Sequence, residues 1–507
     1  MSKLAQPELG TRTIVGRLLR AVTWASPTAP PVRFDDRFRN VIPWACFVLI
    51  GIGVACRLRL LLACQSYWYD EAYLLQNIQL KGFADLLGPL INRQAAPPFF
   101  LWLLAVLHAI FGIGEWAMRL PAAVGGILAV VVAFPLASRV VGQPGNLWAV
   151  AFAALSFQAI TLGNDVKPYT IDVLVTEVVL LAWAWYLGAE PGSRWRSLVL
   201  LLGLAAFAPW LSYPAAFTLG GVCVAWIVRA RNSGSRLGLA LFATVGLVSC
   251  ALLWYAAARH QQTAELTRYW REGFIDRSSP WAALTSTVKI VRKMGDFATT
   301  GLGIPMLVLV LIGWVVIARR RPAVAGAMAA SLVLALAASA AGAYPLDDRV
   351  TLFAAPLFWL PTAAALGAVV PFLKGIRGAV VVAALLLLPA ADVVRIANVV
   401  ATGNYGTEFR EAYQYVHATG RPDDLIWQPY PEVFEVYHGT REGFGPLVPP
   451  DRVVSESAGH RLWLVAPPDG AVAGQAPLAN LETRLVAAGR TKIAERPFRG
   501  VVARLYE

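Results

Sequence analysis

VIPWACFVLIGIGVACRLRLLLACQSYWYDEAYLLQNI, residues 41–78, sets an apolar run directly before two carboxylates, Asp70 and Glu71, that stand among tyrosines and a tryptophan. Residues 41–63 are long enough to cross a bilayer as a helix, which takes about 20 apolar residues. Aromatic side chains at 67, 68, 69 and 73 belong at the headgroup level of a membrane. The stretch therefore reads as a membrane span that emerges at an interface and there presents a pair of acids.

Composition extends this reading to the whole chain. Of 507 residues, 57% are hydrophobic and 15% charged, with a mean hydropathy of +0.56, whereas soluble domains carry about a quarter charged residues. Span-length apolar runs recur at roughly 41–63, 97–113, 120–141, 147–163, 169–189, 197–212, 214–229, 237–257, 301–318, 323–343, 350–373 and 377–394. The net charge of +13 lies largely in short basic clusters between these runs. Membrane topology accounts for such clusters, so they do not point to a nucleic-acid partner. No C-x-x-C or H-E-x-x-H spacing occurs, and Cys46, Cys56, Cys64, Cys223 and Cys250 all lie in or beside apolar runs, so no disulfide framework is indicated.

Three regions follow: a basic cytoplasmic N-terminus (1–40), a transmembrane domain (41–397) and a more polar outer domain (398–507). Residues 1–40 lack a signal-peptide pattern, because the apolar stretch starts only at about 41. The basic loops Arg194/Arg196, Arg229/Arg231/Arg236, Arg319–Arg321 and Lys374/Arg377 alternate with less basic connections. Cytoplasmic loops are the basic ones. They fall on the same side as the N-terminus if one early run does not cross. The run 97–113 follows a Pro-Pro pair, is short and contains His108. It is expected to lie in or dip into the outer interface, leaving eleven crossings and an outer C-terminal domain. In that domain 409–420 and LANLETRLVAAG read as helices, and DDLIWQ, RLWLVAPP and RGVVARLYE as strands, a small α/β unit.

This topology gathers the polar groups on one face. Asp70/Glu71 serve either as N-terminal anchors of an interfacial helix or as chemical groups, one of them a general base in a desolvated cleft. In VKPYTID, Lys167 and Asp172 form a structural pair or a functional one, since an ionisable group inside a span is costly. Loop 258–300 is rich in Arg and Lys, and Arg349 follows Asp347-Asp348. Cations at an outer surface suit either lipid headgroups or a phosphate ligand.

In order and spacing these landmarks resemble the GT-C membrane glycosyltransferases, specifically the protein O-mannosyltransferase and aminoarabinose-transferase-like group. The matching elements are Arg57 in the first span, Asp70-Glu71, APPFFLW…IFG (96–112), MRLPAAVGG with Arg119, and Lys167 five positions before Asp172. Two features depart from that pattern: Ala96 stands where some members have His, and Lys167 where Arg is frequent. The resemblance implies a GT-C-like polytopic α-helical fold and a polyprenyl-phosphate-linked sugar donor. It also implies transfer with inversion to an acceptor hydroxyl on a glycan, lipid or protein, at the periplasmic face of an inner membrane. Asp70 is the expected base with Glu71 in support, and Arg57, Arg119, Lys167, Tyr169, Asp172 and Arg349 the expected substrate-binding set. No cofactor is expected, and the separated acids lack the D-x-D form that holds a divalent metal in some GT-C enzymes. A transporter or lipid flippase with an outer binding domain is the rival reading. It calls for mid-span charges or paired repeats, whereas here the polar groups cluster at one face and no inverted repeat is seen.

Overall fold

The computed structural model describes residues 36–230, 236–299, 303–369, 392–403, 406–438, 448, 452–457, 459–468 and 478–507. Most of the basic N-terminus and most of the run 377–394 fall outside these residues.

Among the described residues, seven helices are long and apolar enough to cross a membrane: Val41–Leu62, Glu115–Val140, Tyr169–Gly188, Arg194–Leu211, Arg236–Gln261, Pro322–Ala340 and Asp348–Val369. The pair Gly145–Leu155 and Phe157–Asn164, bent by 49°, makes an eighth if it is one span. Ala215–Ala230 and Ile304–Arg320 are shorter, at 16 and 17 residues. The chain is a multi-pass membrane protein by these spans. The helix after the Pro-Pro pair, Pro98–Phe111, has 14 residues. At 1.5 Å per residue it is about 21 Å long, well short of a hydrocarbon core of about 30 Å.

Small residues let the spans approach closely. A Cβ on Gly53 would lie 2.9 Å from the Cα of Ala154, and one on Gly125 would lie 2.7 Å from Ile171. The first contact brings the guanidinium of Arg57 onto carbonyls of the neighbouring helix. Large apolar side chains such as Leu247, Leu252, Leu311 and Val333 remain exposed on the outside of the bundle. That pattern is expected where the solvent is hydrocarbon rather than water.

The C-terminal unit is a four-stranded sheet in the order β1-β2-β4-β3: β1 Leu425–Trp427, β2 Leu462–Ala466, β3 Lys492–Phe498 and β4 Val501–Tyr506. β1 runs parallel to β2, and the other pairings are antiparallel. The three strands and two helices expected from the sequence are present. β3 and the helix Pro431–His438 were not anticipated. β3 is an edge strand with charged side chains and Pro497, largely exposed, so it lacks an apolar alternation to read.

Candidate active site

The acid pair opens the helix Tyr69–Leu80. Trp68 is extended, and Glu71 folds back so that its Oε2 accepts from the Trp68 amide at 3.3 Å. That return contact starts the helix, and a carboxylate in the first turn suits the helix dipole. Glu71 does more than cap. Its two oxygens accept from Arg119 Nε at 2.9 Å and Nη2 at 2.7 Å, and Oε1 also accepts from the Val166 amide at 2.9 Å. Neither Glu71 nor Arg119 is more than 1% exposed. Arg119 also donates to the carbonyls of Gln65 and Ser66. One buried ion pair thus ties the end of the first span, the helix Glu115–Val140 and the turn before Pro168.

That turn carries Lys167, and fixing Val166 delivers the lysine beside Asp70. The Asp70 carboxylate lies 3.3 Å from Lys167 Nζ and 2.9 Å from Arg349 Nη2. Oδ1 accepts from Gln94 Nε2 at 3.1 Å, and Lys167 also donates to Gln94 Oε1. Oδ2, the atom that faces both cations, has no aligned hydrogen bond. Gln94 is held from two sides. Asn77 Oδ1 accepts from the Ile91 amide at 2.9 Å, and the Ala96 amide donates to Gln261 at 3.1 Å.

Arg349 arrives from the far side of the chain. Asp347 pairs with Lys293 at 2.7 Å, Leu346 bonds to the carbonyl of Gly273 at 2.7 Å, and Asp348 turns the chain with a φ of 41°. The Arg349 guanidinium then packs 5.0 Å from the Trp68 ring and 5.8 Å from that of Trp270, beside Tyr169.

Electrostatics follow from this packing. Burial pushes the Asp70 carboxyl upward, but Lys167, Arg349 and the Gln94 bond outweigh it and hold it below the usual carboxylate range. Burial pushes Lys167 below the usual lysine range despite Asp70, and Arg349 adds to that shift. The site is therefore an ionised acid, nearly closed to water, whose Oδ2 is paired with two cations. A carboxylate so placed can take a proton once the cations meet another anion.

The C-terminal domain covers this site. Tyr430 stacks on Tyr69 at 4.6 Å and 10° between planes, and Tyr437 stacks on Tyr67 at 5.5 Å. Tyr437 Oη accepts from the Tyr67 amide at 2.6 Å and donates to Glu115 at 3.0 Å, and Gln76 donates to Glu435 at 2.7 Å.

Of the residues expected from the sequence, Asp70, Lys167, Tyr169 and Arg349 come together, with Glu71 and Arg119 immediately behind them. Arg57 is turned elsewhere: its guanidinium donates to the carbonyls of Gly53, Ala153 and Ala154 at 3.0–3.2 Å. Asp172 is also buried, beside Ser212 and Tyr344 rather than against Asp70. Gln94, Trp68, Trp270 and Tyr430 were not in the expected set. An isolated amide or ring in a loop carries no sequence signal until the fold places it. Among the described residues, no group of three or more His, Cys, Asp and Glu gathers where it could hold a metal ion.

Residues 95–255 match the sequence model of the dolichyl-phosphate-mannose-protein mannosyltransferase family. No curated protein sequence gives a significant match. Two crystal structures of ArnT from Cupriavidus metallidurans share the fold. The one bound to undecaprenyl phosphate has a TM-score of 0.51 at 15% identity, covering 90% of this chain and 97% of that one. The one in the apo state has a TM-score of 0.50 at 15% identity, covering 92% and 98%.

Proposed function

We infer that this chain, a GT-C-fold protein of the mannosyltransferase and ArnT-like group, transfers a sugar from a polyprenyl-phosphate carrier to an acceptor hydroxyl. The observation that carries the reading is Asp70 paired through one oxygen with two cations, the buried Lys167 and the partly buried Arg349. The family match and the undecaprenyl phosphate bound to ArnT support the choice of donor.

In this reading Lys167 and Arg349 hold the donor phosphate, and Tyr169 fixes the plane of the guanidinium. Asp70 takes the proton from the acceptor O–H. The acceptor oxygen attacks the anomeric carbon from the face opposite the phosphate, the bond from that carbon to the phosphate oxygen breaks, and its electron pair leaves on the phosphate. The products are an inverted glycoside and the polyprenyl phosphate, with the proton on Asp70 passing to that phosphate or to water. Phosphate is a competent leaving group once two cations balance its charge, so no second acid is needed. Bound donor also raises the basicity of Asp70, because its negative charge opposes the two cations that keep Asp70 ionised. Glu71 and Arg119 are positioning residues that set the Lys167 turn.

The membrane arrangement belongs to the same proposal: eleven crossings, an inside N-terminus, and the site and outer domain on the periplasmic face of the inner membrane. The basic-loop alternation supports it. Incubation of purified protein in liposomes with undecaprenyl-phosphate sugars and candidate acceptors tests the chemistry. Release of undecaprenyl phosphate with formation of an inverted glycoside is expected. No transfer from any polyprenyl-phosphate sugar would refute it.

A further inference from the structure

Five aromatic rings form a connected array beside Arg349, from three segments far apart in the chain. Trp68 and Tyr69 come from the first outer loop, Tyr269 and Trp270 from the segment 258–300, and Tyr430 from the outer domain. Trp68 meets Tyr69 edge-on at 4.9 Å, and Tyr269 meets Trp270 edge-on at 5.2 Å. Tyr430 lies flat on Tyr69. Trp68 and Trp270, which meet Tyr69 and Tyr269 edge-on, pack 5.0 and 5.8 Å from the Arg349 guanidinium, and Tyr430 joins this array through Tyr69. Tyr269 is 54% exposed.

Packing alone does not call for this arrangement. A structural core prefers rings without hydroxyls, and a tyrosine pays a desolvation cost unless its oxygen finds a partner. Burial pushes the phenols of Tyr69 and Tyr430 up, and at Tyr69 the Arg349 charge opposes that shift. Under the function proposed above, Arg349 meets the donor phosphate. The sugar begins two covalent bonds from the phosphorus, so it must lie in the space that these rings border.

We propose that Tyr69, Tyr269 and Tyr430 form the sugar-ring subsite of the donor, and that its outer wall, Tyr430, is supplied by the C-terminal domain. The bordering surface has the chemistry a pyranose requires: apolar ring faces and edges for its C–H groups, and phenolic hydroxyls for its own. The outer domain then acts in substrate recognition and not only as a cover. Residue 430 becomes a specificity-determining position for the carbohydrate, distinct from the cations that hold the phosphate.

The inference rests on the proposed function, and the test separates the two. Binding of undecaprenyl phosphate, and of undecaprenyl phosphate carrying mannose, glucose or an aminopentose, is measured on detergent-solubilised full-length protein by tryptophan fluorescence. The best-bound sugar lipid of this set is then compared across variants. In Tyr430→Ala its affinity should fall about 10-fold while that of bare undecaprenyl phosphate stays the same, the scale of one ring contact with one hydroxyl hydrogen bond. Tyr430→Phe keeps the stack on Tyr69 and should lose about 3-fold. Equal losses for the bare and the sugar-bearing lipid would mark Tyr430 as purely structural and overturn the subsite. So would unchanged binding of both, or wild-type protein that binds no sugar lipid differently from the bare one. Failure of wild-type protein to bind undecaprenyl phosphate at all would instead refute the functional reading.

Discussion

Asp70→Asn should move binding and turnover in opposite directions. In the free protein the carboxylate lies 2.9 Å from Arg349 and 3.3 Å from Lys167, so it already occupies the cations that a donor phosphate needs. A phosphate on the far side of those cations would sit about 6 Å from the carboxylate. At an effective dielectric of about 20 the repulsion between the two anions is then roughly 3 kcal/mol. Asparagine keeps the shape and the Gln94 contact but removes that repulsion. Undecaprenyl phosphate should therefore bind Asp70→Asn about 10- to 100-fold more tightly than wild type, allowing for screening by salt. Turnover should fall by about 10²–10⁴, the usual contribution of a positioned base. The buried Lys167 and the partly buried Arg349 lose their counter-charge, so the ligand-free variant should melt earlier than wild type, and added lipid phosphate should restore it. Calorimetric or fluorescence titration gives the affinity, and transfer in liposomes gives the rate. Weaker lipid-phosphate binding in Asp70→Asn, or transfer at the wild-type rate, would refute the assignment of Asp70 as a base that competes with the donor for Lys167 and Arg349.

Three further outcomes follow from the same geometry. Lys167 titrates below the ordinary lysine range in the free protein, so it loses its charge as pH rises through that lowered value. Donor affinity should decline on the alkaline side earlier than an exposed lysine would allow, and Lys167→Arg should flatten that decline; a pH-independent affinity in wild type would contradict it. Glu71→Ala leaves Arg119 buried without its partner and should cost about 3–5 kcal/mol of stability, seen as a lowered Tm. Glu71→Gln, which keeps part of the contact set, should cost less. The proposed topology is checked by labelling Ser455→Cys, an exposed position in the outer domain, and a cysteine placed near Arg320. Reagent applied to intact cells should reach only the first, and labelling of position 455 only from the cytoplasm would overturn the orientation.

Much of this protein is legible along the chain, for a physical reason. Hydrocarbon accepts only helices with internally satisfied backbones, so apolar run length announced the multi-pass helical architecture. The start of Tyr69–Leu80 was readable because helix starting is a local event. Within the C-terminal domain, β1, β2 and β4 showed themselves by their apolar character, whereas the exposed edge strand β3 had none to show.

Tertiary structure alone decided which charges act together. Asp70 and Glu71 are neighbours in sequence, yet successive helical residues point about 100° apart. One carboxylate is consumed by Arg119 and the Val166 amide, and the other pairs with Lys167 and Arg349. Arg57 and Arg349 look alike as cations at span ends. The close helix contact at Gly53 gives Arg57 carbonyls to bind, and the turn at Asp348 sends Arg349 to the acid. Gln94 and Tyr430 reach the site only because the chain returns to it from elsewhere. Sequence spacing records what is near along the backbone, while a charged site is built from groups the fold brings within about 4 Å, and that distance exists only after folding.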